Sequence, residues 1–237
     1  MTAARDRLHV LNTHALDFWL ARGSILVVVV LQLGASSRVA VGPRWLAPAL
    51  ELALLVPLSL ATAWSHGRAR RAVTDAHWEA VGRLHEAVRW LAMLLTALVS
   101  AVNFASLVLL VRELLMGTAG PGPVLLLDAV IIWVTNIIAF ALWFWTVDRS
   151  GPGAHSLGRE GPPDFLFSNM LKDVASPRGW LPGYVDYLYL SFTNCTALSP
   201  ADTLPLTQRA KLLMMLESCV SLLTIAIVAA RAVNILH

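Results

Sequence analysis

Charge is scarce in this 237-residue chain: only 14% of its residues are Asp, Glu, Lys or Arg, and just two of the 18 basic residues are lysine. So small a charged fraction, with a net charge of +3 spread over several segments, leaves no basic face for nucleic acid. Cysteine is scarcer still. Cys195 and Cys219 are the only two, which excludes a disulfide framework and a thiolate metal site, and both thiols are expected to be buried among apolar neighbours. His66, His77 and His85 share one segment, but none of them pairs at the i, i+4 spacing that would present two imidazoles on one helix face. No nucleophile motif, phosphate-binding loop, metal-ligand spacing or internal repeat occurs, so neither an enzyme nor a cofactor or metal is expected.

What the chain has in abundance is apolar residues, 57% of the total, at a mean hydropathy of +0.65. They gather in long uncharged runs, the mark of an integral membrane protein, here assigned to a cell (bacterial inner) membrane with the lipid bilayer as its first partner. Crossing a hydrocarbon core of ~30 Å takes about 20 residues of helix. Three runs qualify directly: 45–64, 90–111 and 124–147. Two more carry charges, 16–37 with Asp17 and Arg22, and 212–235 with Glu217 and Arg231. The first run lacks the small-residue cleavage site of a signal peptide and is interrupted by Arg22, so it is read as a retained span. The total is five.

Between the second and third spans, 65–89 carries five arginines against three acids. Val73, Trp78, Val81, Leu84 and Val88 fall near one side of it, which predicts an amphipathic helix lying on the membrane surface. After the fourth span, 148–183 is rich in Gly and Pro and reads as a long extramembrane connector with one amphipathic island, DFLFSNML. The chain divides into a scaffold over 1–111, three helices plus the amphipathic loop, and a second unit over 112–237. That unit comprises an outer helix 124–147, the connector 148–183, a polar-tipped loop 184–204 and an inner helix 205–237.

The loop is the most informative segment. YVDYLYLSFTN (184–194) is apolar enough to enter a membrane, but 11 residues of helix rise only about 17 Å, half a bilayer. Beyond it Pro200 and Pro205 prevent a smooth helical continuation. Irregular backbone at membrane depth is tolerated only where protein buries it or where it lines a water-filled cavity. Half-helix, polar turn and full helix together outline a re-entrant pore loop between the fourth and fifth spans of an all-α membrane protein.

From Gly183 to Asn234 the stretch resembles the pore loop and inner helix of the potassium-channel pore-domain superfamily. The resemblance places Ser191 and Phe192 at the end of the pore helix and Thr196 at the threonine before the filter. Asp202 then falls on the acid that closes the filter, Pro205 and Thr207 on the outer proline and threonine, and Lys211 on the basic residue opening the inner helix. At the centre the likeness fails: Ala197, Leu198, Ser199, Pro200 and Ala201 stand where the family has T-V-G-Y-G. In the family, backbone carbonyls replace the ion's hydration shell, and glycine permits the dihedrals that aim them. Pro200 fixes its own φ and pushes Ser199 toward an extended conformation, so a standard potassium filter is not expected. Side-chain oxygen remains: Thr193, Asn194, Thr196 and Ser199 as lining groups, with Asp202 as a ring of charge at the mouth if four copies assemble. Such rings favour cations with weak discrimination. The same groups could instead cap the half-helix and satisfy turn backbone around a closed or absent pore.

Two spans separate 65–89 from the loop, so both lie on one side of the membrane. With the N-terminus, that side holds 14 of the 18 basic residues, and only Arg38, Arg44, Arg112 and Arg231 fall opposite. The positive-inside rule therefore makes the loop cytoplasmic, whereas the potassium-channel family opens its loop outward; ionotropic glutamate receptors offer a fold-level precedent for inversion.

Three acids stand inside or at the ends of spans. Asp128 is near an end and is expected at the interface, whereas Glu51 and Glu217 lie deeper. These two are expected to pair with Arg22 or another basic group, the alternative being a place on a proton or cation path. The expectation is a pore-loop, channel-like homotetramer passing monovalent cations with weak selectivity. No arginine-rich helix at three-residue spacing occurs, so steep voltage dependence is not expected. The alternative is a non-conducting membrane scaffold or partner-binding protein that retains the pore-domain fold.

Overall fold

The structure, a computed structural model, describes residues 15–37, 39–69, 75–117, 121–152, 161–171, 180–197 and 202–235. Six α-helices occur among them: α1 (Ala15–Gly34), α2 (Leu46–Ala69), α3 (Asp75–Leu115), α4 (Gly122–Val147), α5 (Tyr184–Ala197) and α6 (Gln208–Ile235). All but α5 are long and apolar enough to cross a membrane. The runs that predict spans thus form helices, because an uncharged apolar run in lipid satisfies its backbone only by bonding to itself.

The hub is α4. Two-thirds of its apolar window (67%) is buried inside the protein, against 22–33% for the other four long helices. Its inward side chains join one cluster with Ala21, Ile25 and Val28 of α1, Leu55 and Leu58 of α2, and Leu95 and Val99 of α3. A second cluster at the far end joins Leu107 and Leu110 of α3, Leu125 and Ala129 of α4, and Val220 of α6. The outer faces of α1, α2, α3 and α6 expose Val30, Leu60, Leu94 and Leu212, as lipid-facing surfaces do.

The separate surface helix expected over 65–89 is not formed in that way. Residues 75–89 are the opening turns of α3, which runs unbroken for 41 residues, about 62 Å at the α-helical rise. Val88 is buried in the core cluster, in phase with the span that follows, whereas residues 70–74, Val73 among them, lie outside the described residues. With no proline between the opening turns and the span, one helix continues into the other.

The connector also has more structure than its composition suggests. Residues Phe165–Phe167 form strand β1, antiparallel to β2 (Thr203–Pro205), with Leu166 opposite Leu204. Ser168 N–H donates to the Asp202 carbonyl at 3.0 Å and Leu206 N–H to the Asp164 carbonyl at 2.8 Å. The segment leaving α4 is thereby stitched to the segment entering α6.

Candidate functional site: a half-length helix held by a polar seam

Both ends of α5 are tied to other parts of the bundle. At its start, Tyr184 N–H donates to Asp17 Oδ1 of α1 at 3.0 Å, and Gly183 N–H donates to Asp186 Oδ2 at 2.7 Å. Two carboxylates thus meet the unsatisfied amides of the first turn, where the helix dipole also favours negative charge. Gly183 is needed for this approach: a Cβ there would stand 2.8 Å from Asp17 Oδ1. The start of α5 lies beside the end of α4, with the Tyr184 and Trp145 rings 5.5 Å apart.

Its last turns reach the middle of α4 and the third turn of α6. Glu217 is fully buried. Asn194 Nδ2 donates to its Oε2 at 2.6 Å, Cys195 Sγ to its Oε1 at 3.3 Å, and the Ser191 hydroxyl also reaches Oε1. Ser191 Oγ lies 2.7 Å from the Ile137 carbonyl as well, so one hydroxyl hydrogen is divided between α4 and α6. Asn136 of α4 donates to the Glu217 carbonyl at 3.3 Å. The Cys195 carbonyl, an orphan of a helix end, accepts from Ser221 Oγ at 2.8 Å, and Ser221 accepts from Trp133 Nε1 at 3.0 Å. A continuous polar seam therefore binds α4, α5 and α6 around one carboxyl group.

Above the seam lies an aromatic plug. Phe140, Phe144, Phe165, Phe167 and Tyr187 are buried together, with Phe144 and Phe165 ring centres 5.1 Å apart and Phe167 and Tyr187 5.3 Å apart. Tyr187 OH donates to Asp148 Oδ2 at 2.5 Å. Burial, with the Asp148 carboxylate beside it, pushes the phenol well above its ordinary value, so it remains a donor. Asp148 Oδ1 accepts the Asp164 N–H at 2.6 Å. Asp164 is fully buried and takes both prongs of Arg209, Nε at 2.6 Å and Nη2 at 2.7 Å, together with the Thr207 hydroxyl. Thr207 in turn caps α6, accepting the Ala210 N–H at 3.3 Å.

The residues singled out in the sequence fall into three groups. Thr193 and Thr196 lie on the outward side of α5, their hydroxyls donating to the carbonyls of Tyr189 (2.9 Å) and Phe192 (2.8 Å) in their own helix. Asn194 faces the opposite way, into the seam, where it is buried. Ala197 ends α5, Asp202 is exposed where the chain is described again, and Leu198, Ser199, Pro200 and Ala201 lie outside the described residues.

The intramembrane acids differ from expectation in their partners. Among the described residues neither Glu51 nor Glu217 meets a basic group: Glu51 accepts from Gln32 Nε2 at 2.8 Å, and Glu217 has the neutral donors above. Neutral amides satisfy a buried carboxyl without a second charge to desolvate. Asp128, in the second turn of α4, is buried and accepts the backbone N–H (2.8 Å) and hydroxyl (2.6 Å) of Ser36 just past α1. Cys195 is buried within the polar seam, whereas Cys219 is exposed on the outer face of α6. Sequence reasoning missed Ser191 as a ligand of Glu217 and Asn136 as the bridge. The one legible signal was Glu217, Ser221 and Thr224, polar groups at three- and four-residue spacing on one face of a mostly apolar run.

No family model matches the chain, and comparison with curated proteins and with solved structures found no match.

Proposed function

We propose that α5 is the descending half of a re-entrant loop and that the protein is a pore-loop, channel-like membrane protein passing monovalent cations with weak selectivity, assembled as a homotetramer in the cell membrane. The observation that carries this reading is the path of the chain. It runs from Trp145 at the end of α4 down to Asn136 in its middle, and is back beside the end of α4 when Arg209 meets Asp164. A helix of 14 residues is about 21 Å long, too short to span, and its C-terminal carbonyls carry partial negative charge. That end, pointed into the protein interior, favours a cation at the turn. One loop and one inner helix supply a quarter of a pore, and the outward faces of α5 and α6, with Tyr189, Phe192, Met215 and Leu216 exposed, supply surface for neighbouring copies.

Asp202 at the mouth supplies the fixed charge. In reconstituted bilayers under a salt gradient, Asp202→Asn is expected to move the reversal potential toward zero as cation over anion preference falls. An unchanged reversal potential would remove Asp202 from the pathway. A second reading, a non-conducting scaffold that retains the pore-domain fold, draws support from Thr193 and Thr196, whose hydroxyls are already engaged by their own helix.

The charge bias makes the connector cytoplasmic. Asn169, exposed just after β1, is a suitable reporter: in a Cys219→Ser background, Asn169→Cys should resist a membrane-impermeant maleimide on intact cells and react after permeabilisation. Ready labelling of intact cells would reverse the orientation.

A further inference from the structure

The hydrogens of the polar seam do not balance if Glu217 is a carboxylate. The Ser191 hydroxyl stands within hydrogen-bond reach of two oxygens, the Ile137 carbonyl at 2.7 Å and Glu217 Oε1, yet a hydroxyl has one hydrogen to give. We propose that Glu217 is a proton-binding site: its carboxyl is un-ionised at neutral pH, the proton sits on Oε1 and is donated to Ser191 Oγ, and Ser191 is thereby free to donate to Ile137. Each of the two oxygen–oxygen contacts then holds one hydrogen. Oε1 still accepts from the Cys195 thiol, and Oε2, the carbonyl oxygen of the acid, accepts from Asn194 Nδ2. A carboxylate would leave one of the two contacts as a pair of oxygens facing each other with no hydrogen between them.

The surroundings favour the same form. Glu217 is fully buried. Among the described residues it meets Asn136 from α4, and Ser191, Asn194 and Cys195 from α5. None of these is charged, and Cys195 is the only one that titrates. Glu217 also stands against the last two turns of α5, which ends at Ala197, and that is the negative end of the helix dipole. A buried acid with neither a counter-ion nor water takes up a proton rather than keep its charge. The proton is therefore a structural part of the seam, because it lets one serine serve both α4 and α6. This assignment does not rest on the pore reading.

Infrared spectroscopy of the reconstituted protein, carrying carbon-13 in its glutamate side-chain carboxyls, reads the proton directly. At pH 7 a label-shifted carbonyl stretch of an un-ionised acid is expected, whereas exposed glutamates, ionised above about pH 4, give only carboxylate bands. Glu217→Gln should remove the band while keeping the seam, since its amide N–H replaces the acid O–H as the donor to Ser191. No such band in the wild type, or a band that Glu217→Gln leaves unchanged, would overturn the proposal. Where Glu217→Gln does not fold, Glu51→Gln keeps the test, because Glu51 is the other fully buried glutamate among the described residues. The band should persist in that variant, and its loss there would place the proton on Glu51 instead. Unfolding in micelles gives an independent readout. An acid protonated in the folded chain and ionised in the unfolded one takes up a proton on folding, so between about pH 5 and pH 7 it lowers the folding constant tenfold per pH unit. The wild-type profile should fall more steeply than that of Glu217→Gln by this factor, and parallel profiles would likewise overturn the proposal.

Discussion

Asn194→Leu should destabilise the protein more than Glu217→Leu, and the double variant should recover most of the loss. The ordering follows from which group is left stranded. Removing Asn194 takes from Glu217 Oε2 its only partner among the described residues, in a fully buried site, and an uncompensated buried carboxyl oxygen costs on the order of 3 kcal/mol. Removing Glu217 leaves Asn194 its second acceptor, the Met214 carbonyl at 3.1 Å, and leaves Ser191 the Ile137 carbonyl at 2.7 Å. It also relieves the desolvation of the carboxyl group, so the loss falls to about 1–2 kcal/mol. With both replaced, apolar side chains fill the space and the cost should be under about 1 kcal/mol. Denaturant unfolding in detergent micelles provides the three values. Losses that simply add would mean that the two side chains do not interact, against the polar seam described above.

Arg209→Ala is the second large effect, and its asymmetry with Asp164→Ala is the informative part. The Arg209 side chain is 51% exposed, whereas that of Asp164 is fully buried. A guanidinium deprived of its partner regains water, but a carboxylate deprived of its partner does not. Arg209→Ala should therefore cost about 2–3 kcal/mol, with Thr207 as the remaining side-chain donor to Asp164. Asp164→Ala should cost roughly 1–2 kcal/mol, most of it in the three bonds that hold the connector to the start of α6. Arg209→Lys should fall near the alanine variant, since an ammonium cannot reproduce the two-pronged contact. The same unfolding measurement ranks them, and Asp164→Ala proving worse would show that the buried acid is satisfied from elsewhere.

Much of the bundle was readable because lipid makes a simple demand. A run of about 20 apolar residues has one stable conformation there, so five helices long enough to cross a membrane appear within a few residues of their runs, apart from the extension of α3. The half-length helix was readable from the brevity of its apolar run. It continues three residues further, to Ala197, because no proline intervenes before Pro200 and short helices extend until something stops them. Lateral contacts were not readable. Glu217 lies 81 residues from Asn136 and Arg209 lies 45 from Asp164, and no local pattern records which polar group in one run faces which in another. Phase was hidden for a related reason. Core-facing and lipid-facing positions are both apolar, so Cys195 and Cys219 read alike although one is buried and the other exposed. The connector's Gly and Pro content describes a loop, and its amphipathic island was legible as a pattern but not as a contact: there Asp164 and Phe165–Phe167 form the ion pair and strand that brace the entry to α6.

The most direct test of the proposed pore is current through the purified protein reconstituted into a planar bilayer, with subunit number measured by native mass spectrometry on the same preparation. A tetramer carrying discrete, weakly selective cation currents is the expected result. A monomer that passes no cation current under any gating condition would contradict it, and would leave the half-length helix and its Glu217 seam as the framework of a non-conducting membrane protein.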